Sequence, residues 1–297
     1  MRSIRRLLPG VTSAPASRLG MVRLVVGGYT LWYLSRQRGK FRKLARTDAS
    51  QFEPVGPVRV LEKPLPVPVA DALIDATLAS TALFALGAGH RVVGPVHSAL
   101  LTWTLSYRNS WSMVFHSENT LVWHTLVLGA CRATDAASLD ALVSRRAPGG
   151  PHPRYGWPLQ AMQAASAATY LLSGVAKLGG TSGLSWTSGG AMRRQVAIDR
   201  VRKDVFGSDR GATAAHALYP HRSLFTGFAV ASLALELGAP LSLLHPKAGR
   251  LWALATFGMH WGIRVIMGIR FRYQLCGASF ASWFSLDRLL TLLRGVR

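Results

Sequence analysis

Two long windows of this chain are almost free of charge. Residues 159–176 contain no Asp, Glu, Lys or Arg, and residues 224–245 contain only Glu236. Between such windows the chain is strongly basic: residues 1–46 carry eleven Lys or Arg and no acid. Apolar stretches of helical length, separated by Lys- and Arg-rich segments, are what a bilayer selects, since about 20 apolar residues cross its hydrocarbon and the bases stay in the loops. The same distribution decides between partners for a 297-residue chain of net charge +22. A nucleic-acid binder spreads its bases over one soluble face or helix. Here they collect in tails and loops, with no zinc finger, basic zipper or RNA-binding aromatic signature. The expected partner is therefore the lipid bilayer, not nucleic acid.

Taken in order, residues 1–18 read as a basic, flexible tail suited to anionic headgroups. It has no continuous apolar run before Arg18, so no cleaved leader is expected. Residues 19–34 form a first apolar segment, short for a span, with Arg23 placed to snorkel. The bases that follow, like those before, leave orientation undecided. Five prolines between 51 and 68 predict a linker. Residues 69–88 predict a helix led by Asp71 and Asp75. A third segment, 92–105, is expected to break at Gly94-Pro95, and a fourth is centred on 121–130. Asp135 and Ser138 are candidate caps beyond it. Further spans are expected at 159–177, 224–244 and 250–269, a charged loop at 193–222, and a last span or interfacial helix at 275–293. The predicted fold is all-α: one polytopic transmembrane bundle of about 6–8 helices over residues 19–297. Cys131 and Cys276 lie in or beside apolar segments and read as buried reduced thiols.

Polar groups inside apolar helices are costly, and mark either function or a structural pair. The candidates are Arg108, Asn109, His116, Glu118, Asn119, Lys177, Glu236, His260 and Arg264. His116 and Asn119 share a helical face, so residues 116–119 are either a cavity-facing cluster or an interfacial cap. Lys177 is either a helix-end lysine offsetting the dipole or a desolvated amine able to act as a base. Glu236 reads as a paired acid, with His260 and Arg264 as candidate partners. The nine histidines form no HExxH or Cys/His array, so no metal site is expected. No P-loop and no GxSxG is present.

Four segments together resemble a known family. SYRNSWSMVFHSENTLVWHTLVL, TDAASLD, YLLSGVAKLGG…SWTSGGAM and ELGAPLSLL…FGMHWGIRVIMGIRF occur in that order between residues 100 and 272. They are similar to segments of the horizontally transferred transmembrane domain family, related to the membrane part of vitamin K-dependent gamma-carboxylase. The resemblance implies a membrane fold in the cell (plasma) membrane, and makes Lys177 the base toward a reduced quinone. It assigns His116 a catalytic role, and places Arg108, Asn109, Glu118, Asn119, Trp186, Glu236 and His260 around an intramembrane pocket for a quinone or lipid-like ligand. The chain ends without the carboxylase's lumenal region, so the resemblance carries to fold and location more than to carboxylation. Short bacterial relatives point to another class: a non-catalytic membrane factor for maturation, export or immunity toward a secreted peptide. Whether this chain is an enzyme stays open at the level of its sequence.

Overall fold

A computed structural model describes residues 12–111, 116–145, 150–181, 183–207 and 217–288, apart from the side chains of His116 and Ser117. The regular structure is helical throughout. Among the described residues there is no strand, only an isolated bridge between Ala14 and His152. Where the sequence predicts one domain over 19–297, the described residues pack as two compact units, one of residues 12–162 and 284–288, the other of residues 163–283.

The first unit is built on four successive helices. α1 spans Ala16–Leu44, α2 Val67–Leu86, α3 His90–Asn109 and α4 His116–Gly129. α1 runs well past the apolar segment, because the basic stretch after it finds acids on α2. Arg38 and Arg42 bond Asp75 at 2.6–2.9 Å, and Arg46 bonds Asp71 at 2.8 Å. These exposed pairs set the antiparallel register and add little stability each. Further along, an added Cβ on Gly27 would meet Ala85 at 2.8–2.9 Å, so glycine lets the two backbones close up.

Arg23 does not snorkel. Its side chain is 0% exposed, and its guanidinium donates to four backbone carbonyls. Nε reaches Ala133 O at 3.1 Å. Nη1 reaches Phe84 O and Ala85 O at 2.7 and 2.5 Å, and Nη2 reaches Ala137 O at 2.5 Å. The last carbonyls of α2 lack helical partners, and this planar fork supplies them.

The proline-rich linker is tied down. Glu53 N–H donates to Ser110 O at 2.8 Å, Val55 N–H donates to Ser110 Oγ at 3.1 Å, and Phe52 packs on Tyr107 and Trp111. At its start Asp48 accepts from the Ser50 amide, which holds its carboxyl below the usual range. α3 passes through Pro95 without breaking. Pro95 lies in the second turn, where its missing N–H forfeits one ladder bond and the opening turns are already short of them. Those turns are capped from far away: Asp140 accepts from Gly89 N–H at 2.7 Å and His90 N–H at 2.9 Å. Ser138 caps the short α5, Leu139–Ser144, as its sequence predicts. Asp135 caps nothing; it accepts from Tyr155 Oη at 2.7 Å.

The apolar core of this unit also holds many polar groups. Thr77, Ser80, Thr81, His97, Ser98, Thr104, Thr120, His124 and Thr125 are buried, whereas Leu83, Leu86, Val92, Val96 and Trp123 are exposed. The buried groups bond across helices, Thr77 to Thr104 at 2.8 Å and Ser98 to Thr125 O at 2.9 Å.

The second unit begins inside α6, Pro153–Gly179, which the unit boundary crosses after Met162. It contains α7 (Gly190–Val205), α8 (Arg222–Leu237) and α9 (Pro246–Met267). The expected charged loop at 193–222 is thus corrected over its first part, which is α7. Its charges pair at helical spacing, Arg200 with Asp204 and Lys203 with Asp199. The expected span or interfacial helix at 275–293 is corrected over its first part, which is a single turn, Arg272–Leu275, and a 3-10 turn, Ala278–Trp283; residues 287–288 are helical, and 289–293 lie outside the described residues. Cys131 is buried, but Cys276 is exposed. α9 ends at Gly268, whose φ is +69° and whose Cβ position lies 2.4–2.6 Å from the Asp199 carboxylate. Gly268→Ala is expected to cost about 1–2 kcal/mol for the left-handed backbone alone, read as a lowered melting temperature in detergent; an unchanged melt would refute it.

Among the described residues one helix, α2, is long and apolar enough to cross a membrane.

Candidate functional site

The site lies in the second unit, on helix faces that converge near the end of α6. Lys177 is in the last turn of α6 and Glu236 in the last turn of α8. Lys177 Nζ donates to both carboxylate oxygens of Glu236, at 2.5 and 2.6 Å. The close approach of the two helices needs Gly174, whose added Cβ would meet Glu236 Cβ at 3.1 Å. Glu236 is only 6% exposed, while the lysine side chain keeps a partial opening to the outside. After Gly179-Gly180 the chain turns back through a 3-10 segment, Gly183–Ser188, which sets the Trp186 ring 4.4 Å from Nζ. The ammonium is therefore held by a carboxylate and by an aromatic face. Lys177 is not simply an extended helix-end lysine, and Glu236 takes it as partner instead of His260 or Arg264.

Two helical turns earlier on the same face of α6 stands Tyr170, about 10 Å along the axis. Its hydroxyl shares a hydrogen bond of 2.6 Å with His260 Nε2 on α9. His260 and Tyr170 are both buried, with Trp252 edge-on to Tyr170 at 5.2 Å and Phe271 at 4.9 Å from the imidazole. The pair is thus an aromatic-walled hydrogen bond two turns along α6 from the ion pair. Tyr170 escapes a search for charged residues in apolar helices. Its signal is spacing: a tyrosine seven residues before Lys177 on a helix already carrying a site residue.

The other expected residues form a separate cluster in the first unit. Arg108, at the end of α3, and Glu118, in the first turn of α4, form an ion pair, and Tyr33 of α1 also bonds Glu118. Arg108 Nη1 reaches Tyr33 Oη at 3.4 Å. Asn109 is buried beside them in sequence, and its Oδ1 has no hydrogen-bond partner among the described residues. Asn119 points outward. The His116 side chain lies outside the described residues. Tyr33 was legible only as an interfacial aromatic; its partner stands 85 residues away.

No group of three His, Cys, Asp or Glu among the described residues is placed to hold a metal ion. The charge arrangement suits a ligand with both donors and acceptors. Lys177 and Tyr170 can donate, Glu236 can accept, and Trp186 can stack. Lys177 can take up a proton only after losing one, and Glu236 is the group placed to receive it. The chain matches no family model, no curated protein and no solved structure.

Proposed function

We propose that this chain is a polytopic integral protein of the plasma membrane, akin to the carboxylase-like transmembrane family, with an intramembrane site around Lys177 for a quinone or lipid-like ligand. The observation that carries the reading is the direct contact of Lys177 with Glu236 of α8 and with Trp186, on a face of α6 that also holds Tyr170, itself bonded to His260 of α9. A carboxylate as buried as Glu236, paired with a lysine that keeps an opening to the outside, is costly to build and marks a functional or structural pair. The spanning length of α2, with Leu83 and Leu86 exposed on it and Val92 and Val96 exposed on α3, supports the membrane setting. The donor and acceptor set fits a reduced quinone: its hydroxyls can give to Glu236 and take from Lys177, and its ring can lie against Trp186. When bound, such a ligand supplies acid protons and two electrons. The chain's own residues would orient it, exclude water and carry the proton between Lys177 and Glu236.

Purified protein given a reduced naphthoquinone, with dioxygen as the two-electron oxidant and labelled carbonate present, is expected to oxidise the quinol, and Lys177→Ala to abolish that turnover. A rate equal to the protein-free control would refute the enzymatic reading. Mass spectrometry of the lipid that copurifies tests binding separately. One observation favours a non-catalytic factor for a secreted peptide instead. The bidentate pair engages the Lys177 ammonium fully and leaves no basic lone pair at rest. In that case Lys177→Ala would leave the cellular phenotype of a co-expressed peptide intact at unchanged expression.

A further inference from the structure

α7 carries two apolar stripes, and only one of them is used. The first faces into its own unit. Val196 is buried and packs with Phe225, and Met192, Ile266 and Met267 lie against them. Asp199 is on this side as well, 2% exposed and held by Lys203 at 2.5 Å and by Arg202. The second stripe points the other way. Ile198, Val201 and Val205 follow at intervals of three and four residues, so they share a face. They are 60%, 62% and 74% exposed, and Phe206 at the helix end is 78% exposed. At 3.6 residues per turn the centre of this stripe lies about 150° from that of Val196 and Asp199.

A solvated helix would present charge on that face. Here Arg194 falls within the stripe and Arg202 at its edge, and α7 carries five bases against two acids. Apolar side chains in a row with arginines along them fit one surface in both chemistries at once. Branched and aromatic groups enter the boundary between acyl chains and headgroups, and the guanidiniums stay at the level of the phosphates. A protein partner would have to supply a matching apolar groove rimmed with acids, whereas an anionic leaflet supplies both features. The basic bias of the whole chain, at +22, points to the same leaflet.

We propose that α7 lies in the plane of an anionic bilayer surface, with Ile198, Val201, Val205 and Phe206 sunk into the headgroup–acyl boundary and Arg194 on lipid phosphates. The proposal goes beyond the site at Lys177 and shares with it only the membrane setting. It makes α7 an anchor parallel to the surface, a role distinct from that of a spanning helix.

The test uses full-length protein with Cys276→Ser, leaving buried Cys131 in place, and a bimane label on a single new cysteine, Val201→Cys, Val205→Cys or Arg200→Cys. The labelled proteins are reconstituted into phosphatidylcholine vesicles with or without phosphatidylglycerol, and quenched with shallow nitroxide lipids. In the anionic vesicles, labels at 201 and 205 are expected to be quenched several-fold more than the label at 200. The contrast should shrink at high salt and on adding Arg194→Gln. Equal quenching at 200, 201 and 205 in both vesicle types overturns the proposal. So does cross-linking of the label at 201 to a second copy or to a copurifying protein, which would assign the stripe to protein contact. Carbonate extraction separates the two readings. A chain washed off by carbonate but still showing the quenching contrast loses the integral reading and keeps this one.

Discussion

Replacing Arg23 with alanine is expected to lower stability by about 3–5 kcal/mol, the upper range for a single substitution. The size follows from what the side chain serves. Four backbone carbonyls at the end of α2 and in the 133–137 segment take their hydrogen bonds from one buried guanidinium. Removing it takes a donor from each, at a cost of about 1–3 kcal/mol for a carbonyl left buried and unpaired; Phe84 O keeps the Gly87 N–H at 3.1 Å. Some relaxation will recover part of that. In detergent the melting temperature should fall by on the order of 10 °C. Arg23→Lys should fall in between, because three donors on a flexible stem cannot span carbonyls from two segments. A drop of less than about 1 kcal/mol for Arg23→Ala would mean that the carbonyls find other partners.

The second large effect belongs to the Lys177–Glu236 pair. Lys177→Met leaves a buried carboxylate without its cation, and is expected to cost about 3–5 kcal/mol. Glu236→Gln should cost less, since the lysine side chain is partly open and can reach solvent. Combining Lys177→Met with Glu236→Leu should recover most of the loss, because the pair's desolvation cost disappears with it. The cycle also separates structure from function. A double variant that melts like the parent but turns over no quinol retains the scaffold and lacks the site. One that is both stable and fully active would exclude the pair from the chemistry.

Much of this fold is legible in the sequence, for a reason that also marks the limit. Charge-poor windows locate α2, α3 and α9 to within a few residues, because a long apolar run has few other uses; α6 begins six residues earlier than its window and α8 ends seven residues before its own. Local rules fail where partners are distant. Arg23 reads as a snorkelling residue, since no nearby residue shows that carbonyls 110 and 114 positions later close around it. The segment at 193–205 reads as a loop because its charges look solvated, yet Asp199 is buried and pairs along the helix. Pro95 reads as a break, although a proline early in a helix forfeits little. Of the site, the individual residues Lys177, Trp186, Glu236 and His260 stand out as polar or aromatic groups in apolar surroundings. Their pairing does not, because helix periodicity fixes which residues share a face but not which faces meet. For that reason Glu236 is matched wrongly to His260 and Arg264, and Tyr170 and Tyr33 are not placed in the clusters they join.

The carbonyl clamp on Arg23 also constrains the order of biosynthesis. Translation delivers Arg23 more than a hundred residues before Ala133 and Ala137, an interval of about 5–20 s at ordinary elongation rates. The caps of α3 also arrive late, because Asp140 follows His90 by 50 residues. During that interval the α1–α2 hairpin holds a cation with half its acceptors and a helix start without its cap. Nascent chains arrested before residue 133 should therefore be selectively vulnerable to proteases and dependent on chaperones, and should become resistant once the 133–140 segment has left the ribosome.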